Sequence, residues 1–211
     1  TGLAFNTDGS KMFVIGQSGK DVNEYTLSVV FDVSTATFVD SFSVSAQDVS
    51  PSGLAFNTDG TKMYFCGTDG NDVNEYALST GFDVSTASYT QLYSVATDAA
   101  SPVAIAFNLD GTKMYIVSST NVVEYALSTG FNISTTSQVA TLGVSAQLAA
   151  PQGVVFNTDG TKMFITGQVS DAVNEYALST AFTISSASFT DAFSVVVQEG
   201  SPKDVRFNTD G

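Results

Sequence analysis

Short apolar runs recur along this chain with the same polar punctuation between them. In one unit, Gly53 to Phe56 is apolar, Asn57-Thr58-Asp59-Gly60 is a polar turn, and Lys62 to Gly67 is a second run whose Met63-Tyr64-Phe65-Cys66 is apolar throughout. Val73 to Leu78 follows as a third strand, Ser79 to Thr86 as a segment outside the sheet, and Tyr89 to Val95 as a fourth strand, before Pro102 ends the linker. Runs this short, rich in aromatic and β-branched residues and bounded by Asp-Gly, predict strands and hairpins. A half-exposed antiparallel strand alternates apolar with polar residues, and Met63 to Cys66 does not, so this strand is expected to be covered on both faces.

The unit repeats. Phe5, Phe56, Phe107, Phe156 and Phe207 are spaced by 51, 51, 49 and 51 residues, and the short interval traces to a two-residue deletion between Met114 and Glu124. A period near 51 demands repeat architecture. The divisions fall at 1–51, 52–102, 103–151 and 152–202, with 203–211 giving the first strand and turn of a fifth repeat. The predicted fold is therefore all-β, a β-propeller of four-stranded antiparallel blades in which neighbouring blades sandwich each inner strand. Gly or Ala at positions 2, 53, 104 and 153 suits a crowded innermost strand. An open β-solenoid of stacked hairpins is the alternative, although the acidic third strand fits it less naturally. Four repeats plus one strand offer two candidates, Thr1 to Asp8 and Lys203 to Asp210, for one position in a four-bladed ring, so the sequence reads as part of a larger propeller.

Composition narrows the chemistry. Seven Lys plus Arg against 21 Asp plus Glu give a net charge of −14, which repels nucleic acid and anionic membranes. Histidine is absent, which removes Ser-His-Asp catalysis and His-ligated zinc. Cys66 is the lone cysteine and aligns with Ile15, Val117 and Thr166, so it is read as filling an apolar slot with no intrachain disulfide. Low Lys, abundant Ser and Thr and the acidic balance suit an extracellular, cell-surface or virion setting, and no membrane-inserting span is visible.

Most recurring polar residues have an architectural reading. Asp8, Asp59, Asp110, Asp159 and Asp210 hold one turn position, and the glycine after each is suited to positive φ, which costs other residues roughly 1–2 kcal/mol. Glu24, Glu75, Glu124 and Glu175 sit on the third strand away from the axis, and are expected to pair with Lys11, Lys62, Lys113 and Lys162 or with backbone amides, the hairpin register not placing the pairs directly opposite. Met12, Met63, Met114 and Met163 form one core column. The segment Phe82-Asp83-Val84-Ser85-Thr86 reads as a hydrophobic plug followed by side-chain-to-backbone turns. No catalytic residue, metal ligand or cofactor is assigned.

Variation between repeats is concentrated in two loops on one face. The loop between strands two and three contributes Lys20, Asp21, Asp69, Asn71, Asp72 and Asp171, and the linker between blades contributes Gln47, Asp48, Asp98, Gln147, Gln198 and Glu199. A site for one ligand should break internal symmetry, so this diverse face is the expected binding face for a protein or glycan.

The run from Phe56 to Tyr64, followed by Val73-Asn74-Glu75-Tyr76-Ala77-Leu78-Ser79-Thr80, resembles the YVTN or lactonase-type propeller repeat, over essentially all 211 residues. Repeats this uniform are also similar to those in structural or tail-associated proteins of marine bacteria and their phages. The resemblance implies the propeller fold; lactonases of that type imply a divalent cation held by Glu, Asp and Asn around the channel, or catalytic His. Here the inner strands read Gly2-Leu3-Ala4, Gly53-Leu54-Ala55, Ala104-Ile105-Ala106 and Gly153-Val154-Val155, and only the fifth, with Lys203, Asp204 and Arg206, brings charge to that zone. The functional expectation is accordingly a non-enzymatic module for recognition, adhesion or assembly through its loop face; the alternative is a metal-dependent lactonase-like hydrolase whose ligands lie largely in blades outside this sequence, with Asp204 the residue to test as a ligand.

Overall fold

A computed structural model describes residues 2–208. It is all-β, with four antiparallel four-stranded sheets standing as the blades of a propeller. Blade 1 comprises β1 (Gly2–Phe5), β2 (Lys11–Gly16), β3 (Asp21–Leu27) and β4 (Ala36–Ser43). Blade 2 comprises β5 (Pro51–Phe56), β6 (Lys62–Gly67), β7 (Asp72–Leu78) and β8 (Ala87–Ser94). Blade 3 comprises β9 (Pro102–Phe107), β10 (Lys113–Ser118), β11 (Asn121–Leu127) and β12 (Thr136–Gly143). Blade 4 comprises β13 (Pro151–Phe156), β14 (Lys162–Gly167), β15 (Ala172–Leu178) and β16 (Ala187–Ser194). Strand order follows chain order in every blade, the up-and-down pattern that the repeat predicts.

Two boundaries differ from the sequence reading, for local reasons. The inner strand of blade 2 starts at Pro51 rather than Gly53, because a register shift between Pro51 and Leu54 absorbs one extra residue and lets pairing with β6 continue to Pro51. The outer strand starts at Ala87 rather than Tyr89, because a 3-10 turn at Val84–Thr86 delivers the chain directly to the edge of the sheet. That turn is capped by Asp83, whose carboxylate accepts from the Ser85 N–H. The plug before it is Phe82, held at φ 57° with its ring against Phe56, centroids 5.4 Å apart.

The Asp-Gly turn behaves as its chemistry dictates. The Asp59 carboxylate accepts from the backbone N–H and hydroxyl of Thr61, the Asn57 side chain accepts from the Lys62 N–H, and Gly60 sits at φ 72°. The same bonds recur around Asp8, Asp110 and Asp159. Asp210 and Gly211 lie outside the described residues.

The core lies between blades rather than inside any one of them. Three apolar layers join blade 1 to 2, 2 to 3 and 3 to 4, and buried Met63, Met114 and Met163 belong one to each. Cys66 is in the layer between blades 2 and 3; its burial pushes the thiol pKa up to about 11, which keeps it an inert apolar filler at neutral pH. At the axis the inner strands approach so closely that a methyl group on Gly53 would stand 2.7 Å from the Ala104 Cα. Residues 203–208 continue this inner ring without forming a ladder: a methyl on Gly153 would meet the Asp204 Cα at 2.8 Å, and Leu3 in blade 1 donates its N–H to the Asp204 carboxylate at 2.9 Å.

Among the described residues, the sector between blade 4 and blade 1 thus holds the segment 203–208 near the axis and no sheet outside it. Val33 in blade 1 is 59% exposed, whereas its equivalents Val84, Ile133 and Ile184 are buried. Phe193 in blade 4 is 73% exposed, whereas Phe42 and Tyr93 pack edge-on against Tyr76 and Tyr125 of the following blade.

Candidate functional site

Where the inner strands end at the Asp-Gly turns, the four blades and residues 206–208 enclose a funnel of about 320 Å³. Its wall is built by the phenylalanine that precedes each turn: Phe5, Phe56, Phe107, Phe156 and Phe207 all line it, with Phe31 and Phe182 behind them. Each of these rings is there because the inner strand must turn from the crowded axis outward, and a residue one pleat beyond the Gly-rich positions points into the widening mouth. Asn and Thr of the turns form the rim, and Leu109, 68% exposed, replaces the threonine found at positions 7, 58 and 158.

Arg206 is the one titratable side chain in the lining. Three of the repeats have alanine at its position and one has valine, so this strand alone can place a guanidinium on the axis. The fork gathers carbonyls from three blades: Nε donates to Leu3 at 2.7 Å, Nη1 to Val154 at 3.1 Å, and Nη2 to Leu54 at 3.4 Å. Those three carbonyls occupy one repeat position, so the guanidinium reads the pseudo-symmetry of the ring. Nη1 also meets the Asp204 carboxylate at 2.9 Å. Burial raises the Asp204 pKa above the ordinary carboxylate value, while Arg206 and the N–H groups of Leu3 and Val205 pull it back. A guanidinium has five N–H donors, and among the described residues Nη2 has one acceptor for its two hydrogens, leaving a donor for a ligand.

Among the described residues no group of three or more potential metal-ligating side chains comes together. Asp204 faces a cation that is already part of the chain, and the rim asparagines Asn6, Asn57, Asn108 and Asn157 each accept the N–H of the following lysine and donate one amide hydrogen to the adjacent Ser or Thr hydroxyl. This donor set does not fit a divalent cation, and no step through one is derived.

The residues that the sequence singled out for binding lie in the loops at the other end of the blades. The two loop families do share one face, since Val44, Val95 and Val195 at the start of each linker donate their N–H to the carbonyls of Lys20, Asn71 and Asp171 in the β2–β3-type loop of the same blade. Several of them are engaged in that architecture. Asp48 is buried and accepts from Ser50 and Gly70, Asp72 is buried and accepts from the Asn74 amide, and Asp21 accepts from Asn23. Asn71 accepts from Ser101, and Gln47 and Gln147 accept from the hydroxyls of Tyr76 and Tyr176. Lys20, Asn71 and Asp171 adopt positive φ. Asp69, Asp98, Gln198 and Glu199 are exposed.

Sequence reasoning gave the recurring phenylalanines no role beyond marking the register, and passed over Leu109. A signal was present in the one departure from Phe-Asn-Thr-Asp-Gly, but it carried no weight without knowing that the turns surround an opening.

These features define a β-propeller of four-stranded antiparallel blades. No family model matches the chain, and no curated protein sequence does. Solved structures do match. A functionally unknown protein of Desulfotomaculum acetoxidans aligns over 98% of this chain and 60% of its own, at 16% identity and a TM-score of 0.60. A candidate 6-phosphogluconolactonase of Bacteroides uniformis aligns over 90% of this chain and 55% of its own, at 12% identity and a TM-score of 0.61. The periplasmic gluconolactonase of Pseudomonas aeruginosa aligns over 98% and 56%, at 18% identity and a TM-score of 0.60. The chain therefore spans just over half the length of these structures, and at such identities the likeness shows the fold. It nevertheless corrects the expectation of a protein without enzymatic character, because the structural relatives include proteins named as lactonases. The physical basis of that expectation was too narrow: missing histidine and Gly-Ala inner strands exclude imidazole chemistry and a carboxylate ring, but not a guanidinium at the axis.

Proposed function

We propose that the chain belongs to a lactone-opening hydrolase whose substrate enters the phenylalanine funnel and meets Arg206. The observation that carries this reading is that, among the described residues, one charged side chain with a donor to spare stands at the base of an apolar opening on the propeller axis. A lactone carbonyl placed against Nη2 is polarised. Water adds to the acyl carbon, the ring C–O bond breaks, and the departing alkoxide takes a proton to give the hydroxy acid. As the carbonyl oxygen gains charge, a fixed guanidinium stabilises it more than it stabilises the ground state. Asp204 acts as a positioning residue, since its carboxylate fixes the fork that the ring carbonyls orient. The named activities of the structural neighbours support the reaction class; the funnel supports the place.

The test is proton release from a panel of γ- and δ-lactones, followed in a pH-stat with this chain and with Arg206→Lys, which keeps the charge and loses the fork. Removing one such donor typically costs about 10²–10³ in rate. Rates equal to buffer for every lactone in the panel would sink the reading.

A further inference from the structure

We infer that the funnel selects a neutral lactone or ester with an apolar body, and discriminates against polyol and phosphorylated sugar lactones; this rests on the funnel being the lactone site. Three features carry it. The first is charge. Arg206 is neutralised by Asp204 at 2.9 Å, and the turns that surround the mouth carry Asp8, Asp59, Asp110 and Asp159, whose pKa values are lowered by Ser or Thr hydroxyl and amide groups. The chain as a whole carries −14. An anionic ligand would approach a collar of carboxylates to reach a cation already paired, so the field disfavours phosphate or carboxylate on the substrate.

The second is hydrogen bonding. A polyol gives up water at each hydroxyl and needs a partner in return, or it loses affinity. Along the phenylalanine wall a hydroxyl finds no such partner, and the rim amides at the mouth already have one N–H and one oxygen bond each within their own turns, at 2.8–3.2 Å to the Ser or Thr hydroxyl and the lysine N–H. At the base of the funnel the charged donor among the described residues is Arg206, which matches one carbonyl oxygen.

The third is the wall. Seven phenylalanines and Leu109 line the opening, and Leu109 breaks the repeat by putting an exposed aliphatic side chain where the other turns have threonine. An isolated exposed leucine is unremarkable, but one set on the rim of an aromatic funnel extends its apolar surface outward.

The probes are non-hydrolysable lactams, which keep the carbonyl and remove the reaction: δ-lactams bearing alkyl tails of increasing length, gluconolactam, and gluconolactam 6-phosphate. Calorimetric titration of the full chain should show the alkyl lactams binding, each added methylene tightening them about fourfold until the tail clears the rim. Both sugar lactams should bind more weakly than the longest alkyl lactam. Leu109→Asp alters an exposed residue that the fold does not need, and should weaken the long-tailed lactam by about tenfold while leaving the shortest unchanged. Equal or tighter binding of either sugar lactam, or indifference to Leu109→Asp, would overturn the inference. Its failure is separable from that of the lactonase reading. Alkyl lactams that bind when no lactone is opened sustain the ligand class and defeat the reaction; gluconolactone opened by a chain that ignores alkyl lactams does the reverse.

Discussion

The Glu124 carboxylate accepts a hydrogen bond from the backbone N–H of Ile184, 2.8 Å away in the next blade, while its other oxygen holds Lys113 at 2.8 Å. Lys113 in turn donates to the Phe182 carbonyl at 2.7 Å. Two side chains of one blade thus clamp the start of the 3-10 turn in its neighbour, on either side of its cap Thr183. Glu24 and Lys11 do the same to Val84 and Phe82. Breaking a buried ion pair by removing one partner typically costs about 3–5 kcal/mol. Glu124→Ala should therefore lower the unfolding free energy by about that much in a urea titration. Glu175 pairs with Lys162 at 2.9 Å but is 25% exposed and clamps no further turn among the described residues. Glu175→Ala should cost at most about 1 kcal/mol, and equal losses for the two variants would refute the clamp.

The turn glycines are predicted to be intolerant for two compounding reasons. At Gly60, φ is 72° and a methyl group would lie 2.2 Å from the Phe82 ring, so Gly60→Ala both strains the backbone and unseats the plug. The backbone share alone is about 1–2 kcal/mol, and thermal melts should show a loss exceeding it. Gly16 has open space around it and no positive φ, so Gly16→Ala should be neutral or stabilise by up to about 1 kcal/mol.

How much of this was legible depended on periodicity. The hairpin turns, the methionine column, the Gly-Ala inner strands and the Lys–Glu pairs recur at one period, and repetition separates their signal from chance. Their offset was legible too: Tyr64, not Lys62, stands opposite Glu75, yet Lys62 reaches it at 2.9 Å. What depends on closure was not legible. Arg206 bonds Leu3 across 203 residues of sequence, and no local pattern says that the fifth inner strand lies against the first. The funnel was hidden for the same reason, since its phenylalanines look like any other register mark until the turns are seen to surround an axis. The loop residues were favoured because they vary, but variation does not distinguish Asp98, which is exposed, from Asp48, which is buried and bonded to its own loop.

The methionine column tests the uneven cover of the end blades. Met63, Met114 and Met163 are fully buried between blades, whereas Met12 is half-buried and faces the sector that, among the described residues, holds 203–208 alone. Met63→Ala should cost about 2–5 kcal/mol. Met12→Ala should cost clearly less in the same denaturant series, because part of its surface is in water already. A Met12→Ala loss as large as that of Met63→Ala would mean that its side is covered in solution.

Acid should act on the fold through two sets of carboxyls with opposite signs. Asp8, Asp59, Asp110 and Asp159 are held below the ordinary carboxylate value by Ser10, Thr61, Thr112 and Thr161. Depressed folded-state values mean that their contribution is present above the unfolded pKa, near ~3.9, and is lost as pH falls through the folded values. Asp204 and Asp72 are raised by burial, so their ionised forms oppose folding, and acidification through their folded-state values relieves that opposition before the turn carboxyls begin to titrate. Stability on acidification should therefore hold or rise slightly at first and then fall steeply below about pH 4. The steep limb is assigned to the turns, and Asp→Asn at all four positions keeps the oxygen that accepts from the Ser or Thr amide while removing the proton equilibrium. Urea midpoints at about pH 7, 5 and 3 should show a much shallower acid limb in the fourfold variant than in the native chain. An acid limb as steep as the native one would move the cause of acid unfolding away from the Asp-Gly turns.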